Sequence, residues 1–139
     1  MRSVITNLII LATILFAFTS CNSSAKPQKV AEDFLNAYFA AEYEKAAEYC
    51  TPELGNDLLD ALQQAKALDE SIRTNIQKYT KIYRPQIIKT SEPAKKDSVI
   101  VNYVVLASGP DSCSIPQQIK ESRVHIVRTE QGWKVSALK

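Results

Sequence analysis

Ser98-Val99-Ile100-Val101-Asn102-Tyr103-Val104-Val105-Leu106-Ala107 is the stretch whose reading decides the fold. It is rich in β-branched residues and holds neither Gly nor Pro. Val99, Val101, Tyr103 and Val105 point one way; Ile100, Asn102, Val104 and Leu106 point the other. Both faces are largely apolar, which predicts a central strand covered on each side for part of its length. Upstream, Tyr83 to Ser91 has the same character and is joined to it through a Pro93-Ala94-Lys95-Lys96 turn, so the two read as a hairpin. Downstream, Ser108 to Pro116 is a loop with Gly109-Pro110 punctuation. Gln118 to Arg128 then forms a third strand, Thr129 to Gly132 a tight turn, and Trp133 to Leu138 a last strand. The second half of the chain is an antiparallel meander.

Before Tyr79 the apolar period is 3.6 rather than 2. Pro27 suits a first helical position, where its missing N–H is no loss. Val30, Phe34, Ala37 and Ala41 follow at helical spacing with Tyr38 beside them, while Glu32, Asp33 and Asn36 take the opposite side. A bend near Glu42 leads to a short helix, Tyr43 to Cys50. Thr51-Pro52-Glu53 reads as a helix start, with a Thr N-cap, Pro next and an acid near the positive end of the dipole. Leu54, Leu58, Leu62, Ala65, Leu68, Ile72, Ile76 and Tyr79 then step by three or four residues. They mark one long amphipathic helix, or two broken near Asp69-Glu70-Ser71, whose stripe reads as a core face. Helices first and a meander after them make the α+β pattern, with the helices packed on one face of a curved antiparallel four-stranded sheet.

The N-terminus carries an address. Arg2 is a positive start, Leu8 to Phe18 is apolar except for Thr13, and Thr19-Ser20 stand directly before Cys21. The apolar run falls within the roughly 7–15 residues of a secretory signal and short of the about 20 that span a bilayer. Cys21 in this setting resembles the lipobox cysteine of bacterial lipoproteins, which is diacylated and becomes the first mature residue; ordinary secretion and an uncleaved anchor are the alternatives. Residues 1–20 are then a signal peptide, 21–26 the lipidated Cys and a polar tether, and 27–139 one domain. Asn22 to Lys26 has no acidic run resembling a surface-export signal. The expected location is the bacterial cell envelope, lipid-anchored at the outer membrane and facing the periplasm.

The whole chain has 17 Lys and Arg against 15 Asp and Glu, a net charge of +2. Arg2 is the one charged residue before Cys21, so the mature charge is nearly balanced. Without a basic cluster there is no field for a nucleic-acid partner. The membrane partner is reached through acyl chains, each buried methylene adding about 0.8 kcal/mol. Lipidation of Cys21 leaves Cys50 and Cys113, which read either as a disulfide in an oxidising compartment or as two unlinked thiols, Cys50 packed as a small hydrophobe. One His and two distant Cys lack the paired spacing of a zinc site, so no metal and no cofactor are expected.

Ala31-Glu32-Asp33-Phe34-Leu35 through Ala41-Glu42-Tyr43-Glu44-Lys45-Ala46, with Glu130-Gln131-Gly132-Trp133-Lys134-Val135 at the other end, resembles small bacterial lipoproteins of the nuclear transport factor 2-like (cystatin-like) superfamily. These are of the domain-of-unknown-function and lumazine-binding type. The bend there usually carries Gly or Asp before the Tyr; this chain has Ala41-Glu42. The resemblance covers roughly residues 27–138 and implies the cystatin-like α+β roll, a fold that hosts enzymes, binders and structural modules alike. Physical reasons support the closing motif separately, since Gly132 suits a hairpin position of positive φ and Trp133 and Val135 share a face.

Enzymes of the superfamily place Asp, His and Tyr in the cone between sheet and helices. Here the one histidine, His125, alternates with Val124 and Ile126 on a strand. It reads as a general base in the cone or, more plainly, as a half-exposed strand histidine next to Arg123. Glu32 and Asp33 read as a solvated helix face. No Ser–His–Asp set, phosphate-binding glycine loop or metal cluster stands in the sequence, so no catalytic residue is assigned. Tyr38, Tyr43, Tyr49, Tyr79, Tyr83 and Tyr103 suit a pocket rim or the edge of a core. The expected role is a non-catalytic module that binds a small apolar ligand or a protein partner through its cone or sheet face, with Phe34, Tyr38, Tyr103 and Trp133 lining the cavity. The alternatives are a cone enzyme using His125 and a structural homodimer formed through the sheet.

Overall fold

The computed structural model describes residues 25–91, 97–108 and 116–139. The signal segment, Cys21, the Pro93–Lys96 turn and Cys113 lie outside the described residues. Pro27 opens helix α1 (Pro27–Phe39), as its position predicts. Val30, Ala31, Phe34, Leu35 and Ala37 form the buried face of that helix. α1 ends in a Schellman motif, with Glu42 N–H donating to Ala37 O at 2.9 Å and Ala41 N–H to Tyr38 O at 3.1 Å. The motif needs a left-handed residue, and Ala41 supplies it at φ 59° where a glycine is the usual occupant.

The short helix α2 (Tyr43–Glu48) buries Ala46 and hands the chain to Tyr49–Thr51. Thr51 is extended at φ −64° and ψ 157°, the conformation the following proline imposes, but its hydroxyl caps no N–H. The expected Thr cap is thus absent, and Thr51 contributes its carbonyl alone, which accepts the first bond of the helix from Gly55 N–H at 2.8 Å. Of the two readings of the long amphipathic stretch, the structure takes the broken one. α3 (Pro52–Lys66) and α4 (Glu70–Thr80) are separate helices with Asp69 extended between them.

The sheet has the order β1 (Tyr83–Thr90), β2 (Ser98–Ala107), β3 (Gln117–Thr129), β4 (Gly132–Leu138), all neighbours antiparallel. With four helices beside it among the described residues, this is the α+β class. The alternation expected of β2 holds: Val99, Val101, Tyr103 and Val105 are buried on the helix side with Val124, Ile126 and Val135. Val104 is buried as well, so the strand is covered in part on its other face too. Register shifts at Ile87/Lys89, Val105/Leu106 and His125/Ile126 mark bulges, which bend the strands that carry them. The β3–β4 turn is closed by Thr129, whose hydroxyl donates to Gly132 O at 2.8 Å, and Gly132 adopts φ 105°.

One pairing had no period to announce it. Val135 N–H donates to Tyr49 O at 2.8 Å and Thr51 N–H donates to Val135 O at 2.8 Å, making a parallel bridge between Cys50 and Val135. The α2–α3 link thus covers the β4 edge, which would otherwise present unpaired backbone groups. Lys134 reinforces the junction, its Nζ donating to Glu48 O at 2.7 Å.

Candidate functional site

The four residues expected to line a cavity do not share one. Phe34 is fully buried and stacks on Tyr38 at 5.7 Å between ring centroids. Tyr38 meets Phe39 and Tyr43 edge-on at 5.4 and 5.7 Å, and Phe39 meets Tyr103 at 6.2 Å. Phe34, Tyr38 and Tyr103 therefore belong to one aromatic cluster. Burial raises the Tyr103 phenol above its ordinary value, with Ser122 acting against the rise and Tyr38 adding to it. Trp133 lies elsewhere. It pairs with Arg128, whose guanidinium carbon is 5.9 Å from the indole ring, while Tyr103 pairs with Ser122. Those two positions on β3 are six residues apart, about 20 Å of strand. None of five surface clefts is lined by any of the four. The expected pocket is corrected accordingly: aromatic rings fill the space between helices and sheet, because Phe34 and Tyr103 point into it from both sides.

His125 faces away from the cone. Val124 and Ile126 on either side of it are fully buried, so strand alternation turns its imidazole to the open face of the sheet, between Ile100 and Ala137. Burial, then Lys139, then Arg123 push its pKa below the ordinary value. Lys139 and Arg123 are held opposite each other by two backbone bonds of 2.7 and 2.9 Å. Glu121 is the one carboxylate side chain in the shallow cleft that His125 lines. A cone enzyme built on His125 does not agree with this placement. Asp33 and Glu32 sit on the solvated side of α1, 2.8 and 3.8 Å from Lys29 Nζ.

Cys50 lies at a cleft between the start of α3 and the β3–β4 turn, with Gly55 and Lys134 beside it. Its thiol donates to Ala46 O at 3.3 Å. Burial pushes the thiol pKa up to about 12, against the pull of Lys134. Such a thiol is a packing group rather than a nucleophile. No group of three or more His, Cys, Asp and Glu suited to a metal occurs among the described residues. No described helix is long and apolar enough to cross a membrane.

The apolar surface that remains open is on the helices. The stripe expected to be a core face is one only as far as Leu58, with Leu54 packed half-buried against the core; Leu62 is half-buried outside it, and α4 buries no residue. Leu68, Ile72, Ile76 and Tyr79 are 40, 44, 39 and 58 % exposed. The reason is the break at Ala67–Asp69, which turns α4 off the sheet. Two clefts that share Ala41, Tyr43, Leu62 and Lys66 join into one trough running from α2 across α3 to Arg73 and Ile76 of α4. Its α4 end, about 210 Å³, has an apolar floor of Leu62, Ala65 and Ile76 between Lys66 and Arg73. Lys66 is 3.3 Å from Glu44, whereas Arg73 has no carboxylate partner among the described residues. The sequence did carry a signal for this surface: the polar Asp69-Glu70-Ser71 break, and Thr74, Asn75 and Gln77 filling the rest of α4.

Comparison with known proteins bears on the fold. No family profile and no curated protein matches the chain. Among solved structures, a SEC-C motif containing protein from Rhodopseudomonas palustris superposes with a TM-score of 0.52 at 14% identity, over 85% of this chain and 80% of that one. A proposed dehydratase of the nuclear transport factor 2-like family from Streptomyces avermitilis gives a TM-score of 0.39 at 14% identity, over 80% and 95%. At this identity the first likeness is one of fold alone.

Proposed function

We propose that this chain is a non-catalytic, lipid-anchored envelope module of the nuclear transport factor 2-like class, which docks an apolar partner surface on α3 and α4. Cys21 carries the acyl anchor in this reading, and the folded domain hangs from it through the short tether on the periplasmic side of the outer membrane. The observation that carries the docking role is the state of α4. A helix of 11 residues is shorter than the about 12–15 residues at which isolated helices become even marginal in water, and helices in proteins draw their stability from packing an apolar face. α4 has that face and leaves Ile72, Ile76 and Tyr79 of it 44, 39 and 58 % exposed. A filled cone, an inert Cys50 and a His125 on the opposite side of the sheet support binding over chemistry.

Amide exchange on the full chain tests the docking role, compared between intact envelopes and detergent solution. Slow exchange across Ile72–Tyr79 in the envelope and fast exchange in detergent are expected. Equally fast exchange in both settings overturns it. The anchor has its own test: Cys21→Ser abolishes incorporation of labelled palmitate, and incorporation that persists removes the lipoprotein reading.

A further inference from the structure

We propose that the open face of the sheet, away from the helices, carries a binding site for a doubly charged phosphate group, formed by Arg123, His125 and Lys139. The site is independent of the docking role of α4. Its basis is register. Arg123 stands between Ser122 and Val124, which are 6 and 0 % exposed, so its side chain leaves the sheet on the same side as that of His125. Lys139 lies opposite Arg123, its N–H donating to Arg123 O at 2.9 Å and its O accepting from Arg123 N–H at 2.7 Å. The three side chains line one cleft of about 520 Å³ together with Ile100 and Glu121. Strand geometry sets Arg123 about 7 Å along from His125 and about 5.5 Å across from Lys139, within reach of one tetrahedral oxyanion.

Two cations held side by side repel each other unless a negative charge joins them. Neither Arg123 nor Lys139 has an ion-pair partner among the described residues. Glu121 stands on the far side of Arg123 from His125, and the Lys139 oxygen is taken up in the plane of the sheet by Arg123 N–H. Ile100 and Ala137, which flank His125 on β2 and β4, carry no charge. Lys89 stands in the same row as Arg123, across Asn102, and adds to the positive field. A phosphate group matches this set, because a guanidinium donates to two of its oxygens in parallel while an ammonium and an imidazolium take the others. Two permanent charges and one titratable charge favour a dianion over the single charge of a phosphodiester. Burial, then Lys139, then Arg123 hold the His125 pKa below its ordinary value. An anion among the three groups opposes the two cationic contributions, so its binding and proton uptake by His125 strengthen each other.

Imidazole NMR of the full chain in uncharged detergent tests the site. His125 is titrated in chloride, phosphate, sulfate and dimethyl phosphate at one ionic strength. Sulfate has the shape of phosphate with its charge fixed across the titration, and dimethyl phosphate carries the single charge of a lipid phosphodiester. Phosphate and sulfate are each expected to raise the His125 pKa over its value in chloride by about half a unit or more, saturably, and dimethyl phosphate to leave it unmoved. Arg123→Gln and Lys139→Gln, both at exposed positions, each abolish that increment, while Lys66→Gln on α3 retains it. The same pKa in chloride, phosphate and sulfate overturns the site, since simple screening then accounts for the titration. An increment that survives both substitutions overturns the assignment of Arg123 and Lys139. A response to dimethyl phosphate equal to that of phosphate overturns the choice of a dianion and points to a lipid headgroup.

Discussion

Cys50 and Val135 stand side by side in a single parallel bridge, flanked by the two backbone bonds that tie Tyr49 and Thr51 to Val135. This contact joins the helical half of the chain to the last strand of the sheet. It also explains why the Cys50 thiol is buried: the bridge holds it against Ala46 and Gly55, away from solvent.

The state of the thiol sets a pH dependence. Unfolded, Cys50 ionises near its ordinary value of 9.0; folded, it resists ionisation up to about 12. Above pH 9 the unfolded chain binds fewer protons than the folded one, so stability falls as pH rises through that window, by up to about 1.4 kcal/mol per pH unit from this group. Urea midpoints at pH 8, 9 and 10 check the sign. In the same conditions iodoacetamide at pH 8 leaves native Cys50 unmodified and alkylates it on unfolding.

Backbone conformation predicts two opposite glycine substitutions. Ala41→Gly relieves the left-handed alanine of the Schellman motif and is expected to stabilise by about 0.5–1 kcal/mol. Gly55→Ala acts in the same direction for a different reason. Gly55 is helical, and a Cβ there meets Ala47 O at 3.4 Å and Ala47 and Cys50 Cβ at 3.8 Å, ordinary contact distances. The gain in helix propensity, about 0.5–1 kcal/mol, is then realised. Chemical denaturation of the two single variants measures both.

Two isoleucine truncations report how differently the two layers are packed. Ile126→Ala empties a fully buried position between β2 and β4 and costs about 2–5 kcal/mol. Ile76→Ala removes a side chain 39 % exposed and costs less than about 0.5 kcal/mol in the monomer. A large loss at Ile76 in dilute solution contradicts the open α4 face described above.

His125 provides a probe of the open sheet face. Its folded pKa lies below the ordinary 6.5, chiefly through burial and then through Lys139 and Arg123. As pH falls below 6.5 the unfolded chain takes up its proton first, so this group lowers stability on acidification until the folded pKa is passed. An imidazole NMR titration gives the pKa directly. Arg123→Gln moves it up toward the ordinary value, and an unchanged titration contradicts the contribution assigned to that cation.

Much of the architecture was legible in the residues themselves. The period-2 run from Ser98 to Ala107 named the central strand and its two largely apolar faces, but not which of them the helices cover. Pro27 and Pro52 marked helix starts, and Gly132 the last turn. Those signals are local: a proline fixes its own φ, a glycine permits its own, and alternation follows from the geometry of one strand. The site was less legible. Phe34, Tyr38 and Tyr103 were recognisable as inward aromatics, but whether they line a cavity or fill it depends on the volumes facing them from other elements.

The sequence alone determined the class and order of elements, the two apolar faces of β2 and the amphipathic character of α3 and α4. Only the tertiary structure decided that the α2–α3 link pairs with Val135, that the cone is filled by its own rings, and that α4 buries no residue completely. Periodicity records which side of a helix is apolar, and the same pattern arises whether the covering surface is the chain's own sheet or another molecule. The distinction rests on where the break at Ala67–Asp69 directs the helix, a matter of three-dimensional path that no single window of residues contains.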